Sequence, residues 1–294
     1  MLFFFISGYL HRDRGIKESL LNLFRSLLIP YFCLSFLSVF IYTGELKLLL
    51  NGDMVFIRDT LYRILMGKSL WFVSCLVCVR LLFILLQKVF EAIKMWKSFV
   101  ILVISIFSIL FVFIVHEHPA NNASFWYWTT SLYSLGFYIW GYYCRIISLE
   151  KKLPQVKKYY GIILILGYSM ISYITQSYFD VEFHVYTDSF KSPIVFIFLA
   201  ILGIICVCYS SILICNYKCL CNKYIVALGQ NSLLLFAING KVRLTLEKGL
   251  FVYGADKISE LIYIFFICII QGLVILFIGY FINKYIPWIV GKHK

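Results

Sequence analysis

Charge is scarce in this sequence. Charged residues make up 14% of the 294, apolar residues 62%, and mean hydropathy is +0.89. A soluble domain carries about 25% charged and about 45–50% apolar residues. A water-soluble fold is therefore excluded, and one integral membrane domain over 1–294 is the expectation. Met1 to Leu10 does not read as a secretory leader: it has neither a basic n-region before its apolar stretch nor small residues at a cleavage site. Strict apolar–polar alternation over about 10 residues, the mark of a membrane barrel strand, is also missing. The ten cysteines form no framework. Cys33, Cys75, Cys78, Cys144, Cys206, Cys208 and Cys268 lie in apolar runs, where Cys acts as a small hydrophobe. Cys215, Cys219 and Cys221 cluster at a basic turn without the second paired spacing a zinc site needs. No metal is expected. Histidine inside a full span is the last absence: His11, His116, His118, His184 and His293 all fall outside.

What is present is a series of uncharged runs of membrane length. Spans are expected near 26–43, 69–87, 99–115, 125–147, 159–178, 193–214 and 258–283, with a shorter one near 228–240. The opening run Met1–Leu10 would rise only about 15 Å as a helix, against the roughly 30 Å, or about 20 residues, needed to cross. It reads as a half-span. The fold class expected is all-α: a polytopic transmembrane helical bundle of about eight full spans plus an N-terminal half-span.

The net charge of +13 would suggest nucleic acid in a soluble protein, but here the basic residues sit in short loops between spans. Nucleic acid is not an expected partner; the lipid bilayer is. Seventeen Lys and Arg fall in the connections 11–25, 88–98, 145–158, 215–227 and 284–294, and nine in 44–68, 116–124, 179–192 and 241–257. The positive-inside rule places the first set, and so the C-terminus, in the cytosol. Met1 then starts at the outer side. Length and topology together lead to the expectation of a further helix upstream.

Several residues stand out chemically. Arg80 lies in the middle of an apolar run, where a charge costs several kcal/mol unless paired or wetted. Snorkelling toward Gln87 and Lys88 is one reading; a cavity-facing guanidinium for a phosphate or carboxylate is the other. His11 stands beside Arg12 and Arg14 at the cytosolic end of the half-span, where an interface residue is the plain reading and a cytosolic cofactor the alternative. His116, Glu117 and His118 form an outer-loop group, and Glu182 and His184 another, both read as solvated. Basic residues Arg12, Arg14, Lys17 and Arg25 flank the amphipathic stretch Ile16–Phe24 ahead of Pro30. They fit anionic lipid or a polyanionic nucleotide-bearing donor. Leu228-Gly229-Gln230-Asn231-Ser232-Leu233 opens the short span, with Asn239 inside it. Such polar density bonds neighbouring helices or lines a wet cavity.

Five elements occur in an order that resembles the acyltransferase-3 family of bacterial membrane O-acyltransferases. Phe4-Phe5-Ile6-Ser7-Gly8-Tyr9-Leu10 matches its "FFxxSGY" signature. Arg25 through Leu28-Ile29-Pro30-Tyr31 matches its Arg–Pro element, and Leu70-Trp71-Phe72-Val73 its "WFL" helix start. Leu135 to Tyr142, with Gly136 and Gly141, is similar to its glycine-marked central span, and Leu228 to Leu233 to its "LGxxSL" element. The resemblance implies transfer of an acetyl or other acyl group from cytosolic acyl-CoA to a sugar hydroxyl of a surface glycan or lipid-linked saccharide, in the bacterial plasma (inner) membrane. It implies substrate-binding roles for Ser7, Gly8, Arg25, Trp71, Arg80, Asn231, Ser232 and Asn239. Arg25 and the first basic loop would meet the CoA phosphates, Ser7 and Gly8 would permit close helix packing, and Arg80, Trp71, Asn231 and Asn239 would line the acceptor cavity.

Two departures are visible. The family's first helix carries an Arg and the His regarded as its base, and no segment here corresponds; the His after "LGxxSL" is replaced by Asn239, which cannot act as a base at neutral pH. The catalytic base is therefore unidentified, His11 being the secondary candidate, and the expectation is that this chain as written shows no measurable acyl transfer. Transport of a polysaccharide or lipid-linked sugar is the alternative function, though the paired broken halves of a transporter are not evident. A nonfunctional remnant is a third.

Overall fold

A computed structural model describes residues 1–41, 43–92, 97–117, 124–148, 158–179, 183–185, 188–215, 220–249 and 257–292. The helices are α1 (Leu2–Tyr9), α2 (Ile16–Leu23), α3 (Ile29–Ile41), α4 (Thr43–Leu50), α5 (Met54–Leu65), α6 (Trp71–Ala92), α7 (Lys97–Glu117) and α8 (Trp128–Ile146). They continue with α9 (Lys158–Phe179), α10 (Pro193–Cys215), α11 (Leu220–Gln230), α12 (Ser232–Gly249) and α13 (Lys257–Tyr285). A hairpin of two-residue strands, β1 (Phe183–His184) and β2 (Ser189–Phe190), lies between α9 and α10, Phe183 paired with Phe190 and His184 with Ser189. The protein is an all-α helical membrane-type bundle. Five described helices are long and apolar enough to cross a membrane, six if the bent pair Lys223–Gln230 and Ser232–Leu244 counts as one.

The chain forms two compact units. The first holds Met1–Leu20 and Cys75–Cys219, the second Leu21–Ser74 and Leu220–Lys294. The first is built around α8, which buries residues on every face, from Thr130 and Tyr133 to Tyr142 and Cys144. Because protein rather than lipid surrounds it, α8 can carry hydroxyls that a lipid-facing helix could not satisfy. Ser131 donates to the Tyr127 carbonyl at 2.8 Å and Ser105 of α7 to the Gly136 carbonyl at 2.8 Å.

Glycine sets the closeness of this packing. A Cβ at Gly8 would overlap the Tyr138 carbonyl, and one at Gly141 the Phe5 carbonyl. The backbones of α1 and α8 therefore touch, each glycine receiving the other helix's main chain. Phe4, Phe5 and Gly8 form the buried face of α1, the i, i+4 spacing putting Phe4 above Gly8. The "SGY" and central-span glycines of the sequence are the two sides of one contact.

In the second unit a π turn (Phe24–Leu28) joins α2 to α3. Pro30 has no N–H and its ring crowds the carbonyl four residues back, so the wider turn just before it relieves the helix. Gly291 closes a terminal 3-10 turn (Pro287–Val290) at φ 72 and lies against the Ser26 backbone, where a side chain would clash. The short span expected near 228–240 is instead a corner: α11 and α12 meet at 91° around Asn231, and α12 continues to Gly249. Asn231 holds the corner by donating to the Ala227 carbonyl at 2.9 Å and accepting from Asn283 of α13 at 2.8 Å.

Candidate active site

The connection after α1 turns sharply. The Leu10 N–H bonds back to Ile6 at 2.9 Å and the His11 N–H to Gly8 at 3.1 Å, which ends the helix. Leu10 points outward, and His11 turns inward against α8. His11 is 4% exposed, between α6 and α8. The reading of His11 as an interface residue is corrected here. Its neighbours in sequence are charged, but the glycine contact draws its imidazole into the unit.

Around His11 the polar groups converge. Its Nδ1 is 2.8 Å from the Tyr138 hydroxyl, and Gln87 Nε2 is 3.1 Å from its Nε2. Gln87 Nε2 is also 3.4 Å from Asp13 Oδ1, which accepts from the Tyr142 hydroxyl at 2.8 Å. Phe83 packs edge-on to the imidazole at 4.9 Å between centroids. Arg80 bonds the Tyr138 hydroxyl and acts electrostatically on His11. Arg80, Phe83 and Gln87 share one face of α6 at i, i+3, i+7, and Tyr138 and Tyr142 one face of α8 at i, i+4. Burial, then the Arg80 charge, push the His11 imidazole down to about 4; Arg145 and Arg14 act the same way and Asp13 opposes them. At neutral pH His11 is an uncharged ring with one proton and one lone pair. Such a group can receive a proton from an attacking hydroxyl, beside a guanidinium able to face developing negative charge.

Of the residues singled out in the sequence, Gly8 and Arg80 flank this cluster. Half-buried Ser7 is next to Gly8. The second unit carries the others. Arg25 is exposed on the π turn, and half-buried Trp71 opens α6 and meets Phe72 edge-on. Asn231 and Ser232 stand at the α11–α12 corner. Asn239 is exposed, its carbonyl accepting from Gln271 Nε2 at 2.8 Å, with its side-chain oxygen bonded to the same nitrogen. His118, His293 and Glu182 lie outside the described residues; His116 is exposed. Among the described residues no group of three or more His, Cys, Asp or Glu could hold a metal.

Sequence reasoning missed Asp13, Gln87, Tyr138 and Tyr142, although the i, i+4 tyrosines and the Arg80-to-Gln87 spacing were there to be found. It also missed Asp188. This buried residue, at φ 55 in the hairpin turn, accepts from the hydroxyls of Thr129, of Thr130 at 2.7 Å and of Tyr133 at 2.9 Å. The carboxylate thus ties the hairpin to the hydroxyls of the first turns of α8.

The sequence model of the Acyltransferase domain family matches residues 1–282. No curated protein and no solved structure matches the chain. The chain belongs to the acyltransferase-3 family, and it is an integral membrane protein of the acyltransferase type.

Proposed function

From that membership we propose that the protein transfers an acetyl or other acyl group from cytosolic acyl-CoA to a sugar hydroxyl of a surface glycan or lipid-linked saccharide. It does so in the bacterial plasma membrane, with its C-terminus in the cytosol. The observation that carries the reading is the buried, uncharged His11, held by Tyr138 and Gln87 beside Arg80. Expected inactivity for want of a base gives way, in this proposal, to His11 in that role.

The acceptor hydroxyl displaces the Gln87 N–H from His11 Nε2 and gives its proton to that lone pair. Its oxygen then bonds to the thioester carbonyl carbon. Arg80 faces the oxyanion. As the C–S bond breaks, the CoA sulfur leaves with the electron pair and takes the proton back from His11, so the imidazole ends as it began. Arg12, Arg14 and Lys17 receive the donor phosphates. Ser7 and Gly8 maintain the helix contact that positions His11. The family resemblance implies donor binding for Arg25 and saccharide binding for Trp71, Asn231, Ser232 and Asn239.

Arg25 offers the test that separates enzyme from transporter. A charge-assisted hydrogen bond is worth about 1.5–3 kcal/mol, so Arg25→Ala is expected to weaken acetyl-CoA binding roughly 10- to 100-fold. Unchanged acetyl-CoA binding together with lost saccharide flux across vesicles would support transport instead.

A further inference from the structure

The hydrogen bonds around His11 have a direction, and residues that can play only one role set it. Asp13 is a carboxylate and only accepts; Arg80 only donates. Gln87 lies between Asp13 and His11, and one nitrogen, Nε2, is the atom near both: 3.4 Å from Asp13 Oδ1 and 3.1 Å from His11 Nε2. An amide nitrogen has two protons, so each neighbour can receive one. Turning the amide over would set its oxygen against the Asp13 carboxylate, oxygen to oxygen. The orientation that satisfies Asp13 therefore points an N–H at His11 Nε2, and that ring nitrogen must be the unprotonated one. The ring proton is then on Nδ1, directed at the Tyr138 hydroxyl 2.8 Å away.

That orientation leaves one atom over. Gln87 Oε1 is buried, in a residue only 6% exposed, and has no hydrogen-bond partner among the described residues. An unmet buried acceptor costs about 1–3 kcal/mol, and such groups in native folds call for a functional account. Gln87 leaves its own oxygen unmatched while committing both N–H groups to Asp13 and His11.

We propose that Gln87 is a positioning residue that fixes the tautomer of His11, holding its proton on Nδ1 and presenting the Nε2 lone pair to the incoming hydroxyl. The inference rests on the proposed role of His11 as base, but the tautomer is a property of the resting protein and can be read without turnover.

Protein labelled with 15N-histidine, in lipid nanodiscs at pH 7 and without donor or acceptor, gives the answer by two-bond 1H–15N correlation. The His11 signals are identified by their loss in His11→Asn. The wild-type protein is expected to show a neutral His11 protonated on Nδ1 alone. Gln87→Met, of similar length but offering no N–H, is expected to release the ring proton, so that His11 protonated on Nε2 appears. In assays with acetyl-CoA and a saccharide it should lower kcat about tenfold or more, with KM for acetyl-CoA unchanged. Wild-type His11 protonated on Nε2 overturns the proposal, as does a folded Gln87→Met with the proton still on Nδ1 alone. The wild-type spectrum decides even where the variant fails to fold. A protein that transfers no acyl group but shows the expected spectrum contradicts the role of His11 as base and leaves the tautomer assignment standing.

Discussion

A histidine pushed down to about 4 by burial and by Arg80 has two measurable consequences. Folded His11 binds its proton less tightly than the unfolded side chain, whose ordinary value is about 6.5. The unfolded state therefore holds more protons between these values, and stability rises with pH through that window. This contribution is complete above about 6.5 and is lost as pH falls toward 4. The rate behaves in parallel. The acidic limb of kcat/KM reports the free enzyme and is expected well below 6.5; a limb at 6.5 or above would show that His11 is not the group titrating. Donor phosphates that neutralise Arg14 would raise the pKa in the complex, so the limb of kcat should lie at higher pH than that of kcat/KM. In the sequence His11 stands among charged residues, and the charge pattern points to an interface. What buries it is a backbone contact made by Gly8, which local charge does not report.

Helices α1 and α8 meet through glycine, and that contact positions the imidazole. Gly8→Ala places a methyl on the Tyr138 carbonyl, a backbone atom that cannot swing aside. Overpacking costs about 1–3 kcal/mol and more where backbone must move. The expected outcome is a lowered unfolding temperature with loss of acyl transfer; activity and stability like wild type would mean that α1 does not dock as described. The hairpin between α9 and α10 is held differently, by Asp188 and three hydroxyls of α8 and its first turn. Asp188→Ala leaves those hydroxyls without their acceptor, at about 1–3 kcal/mol. It is expected to open the hairpin to proteolysis, which limited digestion of wild type and variant compares. Helix positions were legible because apolar runs of this length leave few alternatives. The corner at Asn231 was not, because an uncharged run reads the same straight or bent. Only the pairing of Asn231 with Asn283, distant in sequence, shows where the turn falls.

The protein combines a lipid-embedded exterior with a few dense polar contacts inside. Composition alone was enough for the membrane class, and the ordered motifs for the family that the match over residues 1–282 shows. The His11 cluster was less legible because its members come from three separate segments: the turn after α1, the stretch of α6 from Arg80 to Gln87, and the second half of α8. Each is unremarkable locally: a histidine in a basic loop, a glutamine near a helix end, two tyrosines among many aromatics. Gly8 and Gly141 bring them together, and the same two glycines sit within the sequence signatures. The motifs thus mark the packing that makes the site rather than all the groups that act in it.

The account stands on His11 receiving the proton during acyl transfer. Purified protein reconstituted in vesicles with labelled acetyl-CoA and a saccharide acceptor tests this most directly, with His11→Asn beside the wild type. The account predicts label in the saccharide for the wild type and a loss of at least about 100-fold for the variant, the contribution of a general base, with acetyl-CoA binding retained. No label with the wild type, or equal rates from the two proteins, would contradict it.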